Sequence, residues 1–98
     1  MRLNPAEVDI IQAAFRATFH QGELYLFGSR VDDSKRGGDI DLYVVPAQMQ
    51  NLSATRIDFL VKLKQGLGEQ KIDVVVDRGG NRLIDTIAKQ QGELICQL

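Results

Sequence analysis

The sequence has few of the residues on which many enzyme classes depend. Its 98 residues include one cysteine, Cys96, and one histidine, His20. A single cysteine cannot form a disulfide within the chain, and we expect Cys96 to be a small buried hydrophobic residue. No Ser/His/Asp arrangement is visible around His20, which argues against Ser29 as a nucleophile. The chemistry of this chain therefore has to come from other residue types.

The chain also lacks a strong net charge and a long hydrophobic run. Its formal net charge is −1, whereas a general nucleic-acid-binding protein needs a basic face. No apolar stretch approaches the roughly 20 residues of a membrane span, and residues 1–5 lack the apolar core of a signal peptide. We therefore expect a cytoplasmic protein that binds neither membranes nor nucleic acid directly.

What the chain does have is enough apolar sequence for one small domain over residues 1–98. Its hydrophobic fraction of 44% is typical of globular proteins. A core of this size leaves little room for both a catalytic centre and an enclosed substrate pocket. We therefore expect a partner chain, in a homo- or hetero-oligomer.

The apolar pattern predicts an α/β fold, with a small mixed sheet and flanking helices. Apolar runs predict three strands, over residues 23–27, 40–45 and 72–76. Helices are expected before, between and after these strands. Asn4, Pro5 and Glu7 form the capping pattern of the first helix. Residues 94–96 form either a final helical turn or an edge strand.

Apolar spacing also predicts which helical residues are buried. Ser53 is expected to cap the second helix. Its buried stripe is predicted to be Ile57, Leu60, Leu63 and Leu67. In the third helix, Leu83, Ile84 and Ile87 are expected to face the core or a partner.

The connections between the strands bring acidic residues together. A helical crossover favours a parallel pair of the second and third strands, and the loop between the first two permits an antiparallel pair. The end of the first strand, at Gly28-Ser29, then lies at the same end of the sheet as the starts of the other two. Those starts carry Asp39, Asp41 and Asp73.

Three carboxylates in one place need a counterion. Asp39 and Asp41 are two residues apart on a strand, so both point to one face. At an effective dielectric near 20, two such charges 4 Å apart repel by about 4 kcal/mol. Oxygen ligands without histidine or cysteine suit Mg²⁺, which favours one or two carboxylates together with substrate phosphates. Asp77, four residues after Asp73, is expected at the other end of the sheet as a turn residue.

The Gly-Ser turn supplies a matching phosphate site. Gly28 allows close approach of the main chain to a ligand, and Ser29 and the following N–H groups can donate to phosphate oxygens. Arg30 and Lys35 add positive charge to the same loop. A triphosphate bridged to the acids by two metal ions would suit an in-line displacement.

These residues resemble a known family. GSRVDDSKRGGDIDLYVV, followed by KIDVVVD, is similar to the minimal nucleotidyltransferases of the DNA polymerase beta superfamily. Their pattern is a Gly-Ser turn, an Asp-x-Asp strand and a third Asp on a neighbouring strand. Many relatives have Arg-x-Arg-Gly after the turn and Ser before the first Asp, where this chain has Arg30-Val31-Asp32-Asp33 and Gly38.

The resemblance implies a fold, an activity and a partner. Gly28 and Ser29 would bind ATP, Asp39 and Asp41 would bind Mg²⁺, and Asp73 would be the third carboxylate. The implied reaction is transfer of AMP to a hydroxyl. Small members often act as antitoxins beside a separately encoded helical HEPN-type toxin. The alternatives are a partner-binding antitoxin with a vestigial site and a nucleotidyltransferase acting on a small molecule such as an aminoglycoside.

Overall fold

The computed structural model describes residues 3–28, 40–68, 70–79 and 82–98 of the chain. It contains three helices and four strands in this part. In chain order they are α1 (Pro5–Thr18), β1 (Gly22–Phe27), β2 (Ile40–Pro46), α2 (Leu52–Leu67), β3 (Ile72–Val76), α3 (Leu83–Gln91) and β4 (Glu93–Gln97). The predicted α/β fold with a small mixed sheet is confirmed.

The four strands form one sheet in the order β3-β2-β1-β4. β1 runs antiparallel to both β2 and β4, and β2 runs parallel to β3. Both predicted pairings are therefore confirmed. Because the crossover from β2 to β3 is helical, the start of β3 returns to the same end of the sheet as the start of β2.

The two faces of the sheet are covered differently. Alternate residues of β1 and β2, such as Leu24, Leu26 and Leu42, are fully buried in a core shared with α1 and α2. The residues between them, which include Tyr25 and Tyr43, point to the opposite face. α3 packs on that second face, since the Tyr43 hydroxyl donates a hydrogen bond to its Asp85.

The start of α1 follows the predicted capping pattern. The Glu7 N–H donates to Asn4 Oδ1 at 2.8 Å, and the Asn4 N–H donates to Glu7 Oε1 at 3.0 Å. Pro5 occupies the first turn, where its missing N–H costs nothing. This reciprocal pair satisfies two N–H groups that the first turn of a helix otherwise leaves without a partner.

In α2 the predicted cap and one predicted core residue are wrong. The helix begins at Leu52, and Asn51, with φ of 56°, precedes it without a side-chain cap. Ile57 is 55% exposed, whereas Phe59 is fully buried. Phe59 packs edge-on against Phe15, with ring centroids 6.0 Å apart. Positions 57 and 59 lie about 200° apart around a helix. Because the ring of Phe59 faces the core, Ile57 faces outward.

The C-terminal segment is an edge strand, which decides between the two predicted alternatives. β4 pairs with β1, and the register shifts between Leu24 and Tyr25. A bulge of this kind discourages further strands from adding to the edge. Cys96 is buried as predicted, and burial raises the pKa of its thiol.

No helix in the described part of the chain combines the length and hydrophobicity that a membrane span requires.

Candidate functional site

Two of the predicted carboxylates stand side by side at one end of the sheet. Asp41 and Asp73 are direct partners in the register of the parallel pair β2–β3. Phe27, the last residue of β1, is the antiparallel partner of Asp41. Neighbouring strands lie about 4.8 Å apart, so the two aspartates start from adjacent positions on one face. We call this region, defined by Gly28, Asp41 and Asp73, the acid end.

Two features of Gly28 suit it to the acid end: its main-chain conformation and its close contact with Asp41. Its φ is +79°, a conformation that L-residues with a side chain rarely adopt. A Cβ built at this position would also collide with Oδ2 of Asp41. The Asp41 carboxylate therefore lies directly against the main chain of Gly28. This contact places an acidic side chain and the glycine of the predicted phosphate turn in one site.

The acid end is accessible to a ligand. The Asp73 side chain lies on the exposed surface, and Asp41 is half-buried. Carboxylate oxygens on adjacent strands are donors of the kind that a hard divalent cation binds. The oxygen donors present therefore fit Mg²⁺, although no three His, Cys, Asp or Glu side chains of the described residues form a metal-binding group.

Four predicted site residues lie outside the described residues. They are Ser29, Arg30, Lys35 and Asp39. The structure therefore brings together Gly28, Asp41 and Asp73 of the seven residues predicted to form the site. The roles of all seven remain predictions.

A second group of residues, one tyrosine and four charged side chains, was not predicted from the sequence. It lies on the same sheet face at the other end of β3 and consists of Tyr43, Asp77, Arg82, Asp85 and Lys89. We call it the polar cluster. Tyr43 is fully buried, and Asp77 and Asp85 are only 5% and 3% exposed. Buried carboxylates of this kind are stable only when they are paired.

Each carboxylate of the polar cluster has a cation. Lys89 Nζ lies 2.8 Å from Asp77, and the Arg82 guanidinium donates to both oxygens of Asp85 at 3.0 and 3.1 Å. The Tyr43 hydroxyl donates to Asp85 at 2.8 Å. Arg82 also donates to the Val76 carbonyl at 2.9 Å. The cluster therefore fixes α3 to the middle of β2 and to the end of β3.

These contacts explain the titration of the cluster. The Arg82 hydrogen bonds lower the pKa of Asp85 to about 2, against the opposing effect of burial. The Lys89 hydrogen bond lowers the pKa of Asp77. Burial, followed by the hydrogen bond to Asp85, raises the pKa of Tyr43 far above its ordinary value. Both carboxylates are therefore charged at neutral pH.

The sequence contained only part of the signal for this cluster. Asp77 is a turn residue, as predicted, because it accepts a hydrogen bond from the Gly79 N–H at 2.8 Å. Its burial and its ion pair with Lys89 were missed. The three-residue spacing of Arg82 and Asp85 is a recognisable helix-start pair, but the hydrogen bond from Tyr43 to Asp85 spans 42 positions of sequence.

Comparisons with known proteins identify similar solved structures. Neither family models nor curated proteins match the sequence. A chain from the crystal structure of a toxin–antitoxin with AMP-PNP matches 93% of this chain and 73% of its own length, with a TM-score of 0.76 and 22% identity.

Two further matches come from the toxin–antitoxin pair MntA–HepT. One, a mutant in which two aspartates are changed to glutamate, covers 98% of this chain and 75% of its own, with a TM-score of 0.76 and 23% identity. The other covers 97% and 74%, with a TM-score of 0.73 and 22% identity. At these identities the comparisons show a shared fold.

Proposed function

We propose that this chain is a Mg²⁺-dependent nucleotidyltransferase that transfers AMP from ATP to a hydroxyl acceptor. The observation that carries the proposal is the acid end, where Asp41 and Asp73 stand in register and the Asp41 carboxylate lies against Gly28. A structural neighbour solved with AMP-PNP supports an adenine nucleotide as the ligand. A neighbour with two mutated aspartates supports paired acids as the residues of interest.

The proposed reaction makes one bond and breaks another. The acceptor oxygen bonds to the α-phosphorus of ATP while the bond to the bridging oxygen breaks, and pyrophosphate leaves. The proton of the acceptor hydroxyl passes to the Asp73 carboxylate. Mg²⁺, when bound, would neutralise charge on the triphosphate and favour the deprotonated acceptor.

Each predicted site residue has a task in this proposal. Asp39, Asp41 and Asp73 provide the carboxylate ligands for two Mg²⁺ ions. The Gly28 main chain and the Ser29 hydroxyl receive the phosphates. Arg30 and Lys35 supply positive charge to the triphosphate. Because the fold places β1, β2 and β3 with these ends together, residues distant in sequence can act on one ligand.

The acceptor in this proposal is a partner protein. The similar structures are toxin–antitoxin complexes, which supports a separately encoded toxin, and we propose a small helical HEPN-type protein. Co-expression of that toxin with the Asp39→Asn/Asp41→Asn/Asp73→Asn triple variant separates chemistry from contact. Lost protection supports AMP transfer, and full protection supports neutralisation by contact alone.

Calorimetric titration with ATP tests the proposed nucleotide site. We expect wild-type protein to bind ATP in the presence of Mg²⁺ and to lose most of that affinity in EDTA. Asp41→Asn and Asp73→Asn should weaken Mg²⁺-dependent binding by about 10-fold or more. Asp58→Asn, which removes an exposed carboxylate of α2, is the matched control and should bind normally. Equal ATP affinity in all four proteins would contradict the proposed site.

A further inference from the structure

The sheet face that carries the acid end is only partly covered by α3. Asp85 of α3 contacts the hydroxyl of Tyr43, which follows Asp41 by two residues on the same face of β2. Asp73, beside Asp41, is exposed. α3 therefore leaves Asp73 uncovered. We call the boundary between the helix and the acid end the step, and residues on the near flank of α3 lie along it.

The two flanks of α3 have opposite chemistry. Arg82 and Lys89 bind the Val76 carbonyl and Asp77 at the end of β3 that is distant from Asp73. Successive helical residues turn by about 100°, so Ile84 lies on the opposite side of Asp85 from Lys89. The charged flank therefore faces away from the acid end, and the flank with Ile84 faces toward it.

Exposure along α3 agrees with this orientation. Asp85 and Ala88 are buried against the sheet, and Ile84 is half-buried. Leu83, which points outward from the sheet, is 76% exposed. Ile84 thus presents an apolar surface at the step, whereas its neighbour in sequence does not contribute to it.

A rigid aromatic ring lies on the other side of the step. Phe27 is the cross-strand partner of Asp41 and is half-buried on the same face. Its ring stands nearly perpendicular to that of Tyr43, at 88° with centroids 6.4 Å apart. Because Tyr43 is itself held by Asp85, this packing fixes the Phe27 ring beside the carboxylates.

We propose that Phe27 and Ile84 form the surface on which the base of the bound nucleotide rests. The inference depends on the proposed function, because the acid end must hold the triphosphate for the base to reach this surface. The apolar side chains offer stacking and dispersion contacts without hydrogen-bond donors or acceptors. The site should therefore prefer purines to pyrimidines and should discriminate weakly between ATP and GTP.

Calorimetry with two probes tests this surface separately from the acid end. The probes are ATP and inorganic tripolyphosphate, each with Mg²⁺, because tripolyphosphate has the charged part of ATP without the base. We expect Ile84→Ser and Phe27→Leu each to weaken ATP binding by about 5-fold while leaving tripolyphosphate binding within about 2-fold of wild type. Leu83→Ser is the matched control, with the same kind of substitution one position away, and should change neither.

The outcomes distinguish the two proposals. Loss of ATP affinity alone in the Ile84 and Phe27 variants supports the base-binding surface. If the wild-type protein binds both probes and Ile84→Ser binds ATP with unchanged affinity, the base-binding surface is overturned and the proposed function still stands. If wild-type protein binds neither probe with Mg²⁺, both proposals fail. Should Phe27→Leu not fold, Ile84→Ser carries the test, since its side chain is only half-buried.

Discussion

The acid end and the polar cluster lie on the same side of the sheet, and each contains a pair of aspartates. In the polar cluster, Asp77 and Asp85 are buried, and Lys89 and Arg82 bind them at 2.8 and 3.0 Å. At the acid end, Asp41 and Asp73 are in register on adjacent strands, and Asp73 is exposed. The two pairs therefore differ in burial: both aspartates of the polar cluster are buried, whereas Asp41 is half-buried and Asp73 is exposed.

This difference separates residues that stabilise the fold from residues that are available to a ligand. Folding gives each buried carboxylate of the polar cluster its ion pair and its hydrogen bonds, so these residues contribute to the stability of the fold. The acid end, by contrast, includes the exposed side chain of Asp73, which a cation bound with a polyphosphate can reach.

The largest expected effect is on catalysis. Asp41→Asn or Asp73→Asn should reduce AMP transfer by about 100-fold or more, because each removes a proposed ligand of the ions that stabilise the reacting phosphate. Transfer of labelled AMP to the acceptor, with folding checked by circular dichroism, measures this. Asp58→Asn should retain full activity. Wild-type rates in both acid-end variants would show that these carboxylates are not part of the chemistry.

The second-largest effect should come from removing a hydrogen bond of the polar cluster, which should lower the stability of the fold. Tyr43→Phe removes a buried hydrogen bond to an ionised carboxylate and should lower the free energy of unfolding by about 1.5–3 kcal/mol. Tyr25→Phe, which removes a partly buried hydroxyl that donates to Glu23 at 3.1 Å, is the matched control. It should cost about 1 kcal/mol or less in urea denaturation. Equal losses in the two variants would contradict a special role for the cluster.

Acid should weaken the polar cluster in a defined pH range. The pKa of Asp85 falls from an ordinary 3.8 to about 2 on folding, and that of Asp77 is also lowered. Folding therefore favours the charged forms, and this stabilisation is complete above about pH 4 and lost as the pH falls toward 2. The free energy of unfolding of the wild type should therefore fall between pH 5 and pH 2. In Asp85→Asn the fall over the same pH range should be smaller. An identical pH profile in the variant would be evidence against the ion pair.

The smallest change should be in the stability of the ligand-free protein. Asp73→Asn should alter its free energy of unfolding by about 0.5 kcal/mol or less, because the Asp73 side chain is exposed. The same variant should lose stabilisation by Mg²⁺ and ATP. Thermal unfolding with and without both ligands measures the two changes. Equal stabilisation of the variant and the wild type by the two ligands would contradict a role for Asp73 in binding them.

The sequence predicted the acid end better than the polar cluster. Apolar runs and the length of the β2–β3 crossover were sufficient to place Asp41 beside Asp73, because strand direction alone determines which ends meet. The packing of α2 was less predictable. Ile57 and Phe59 each suit an apolar stripe, and it is the contacts with Phe15 and Phe19 that select Phe59 for the core.

The polar cluster was beyond prediction for a different reason. Tyr43 lies in an apolar strand and Asp85 in an amphipathic helix, so each has an ordinary place in its own element. Their hydrogen bond depends on how α3 crosses the sheet, which periodicity does not specify. Pairs of this kind become visible only when distant elements are placed together.

A crystal structure with Mn²⁺ in place of Mg²⁺ and a non-hydrolysable ATP analogue would show whether Asp41 and Asp73 hold the metal. Anomalous scattering identifies the position of Mn²⁺ directly. We expect Mn²⁺ at about 2.0–2.2 Å from carboxylate oxygens of both Asp41 and Asp73, bridged to the triphosphate. Metal and nucleotide bound elsewhere, with these two carboxylates uncoordinated, would rule out the proposed site.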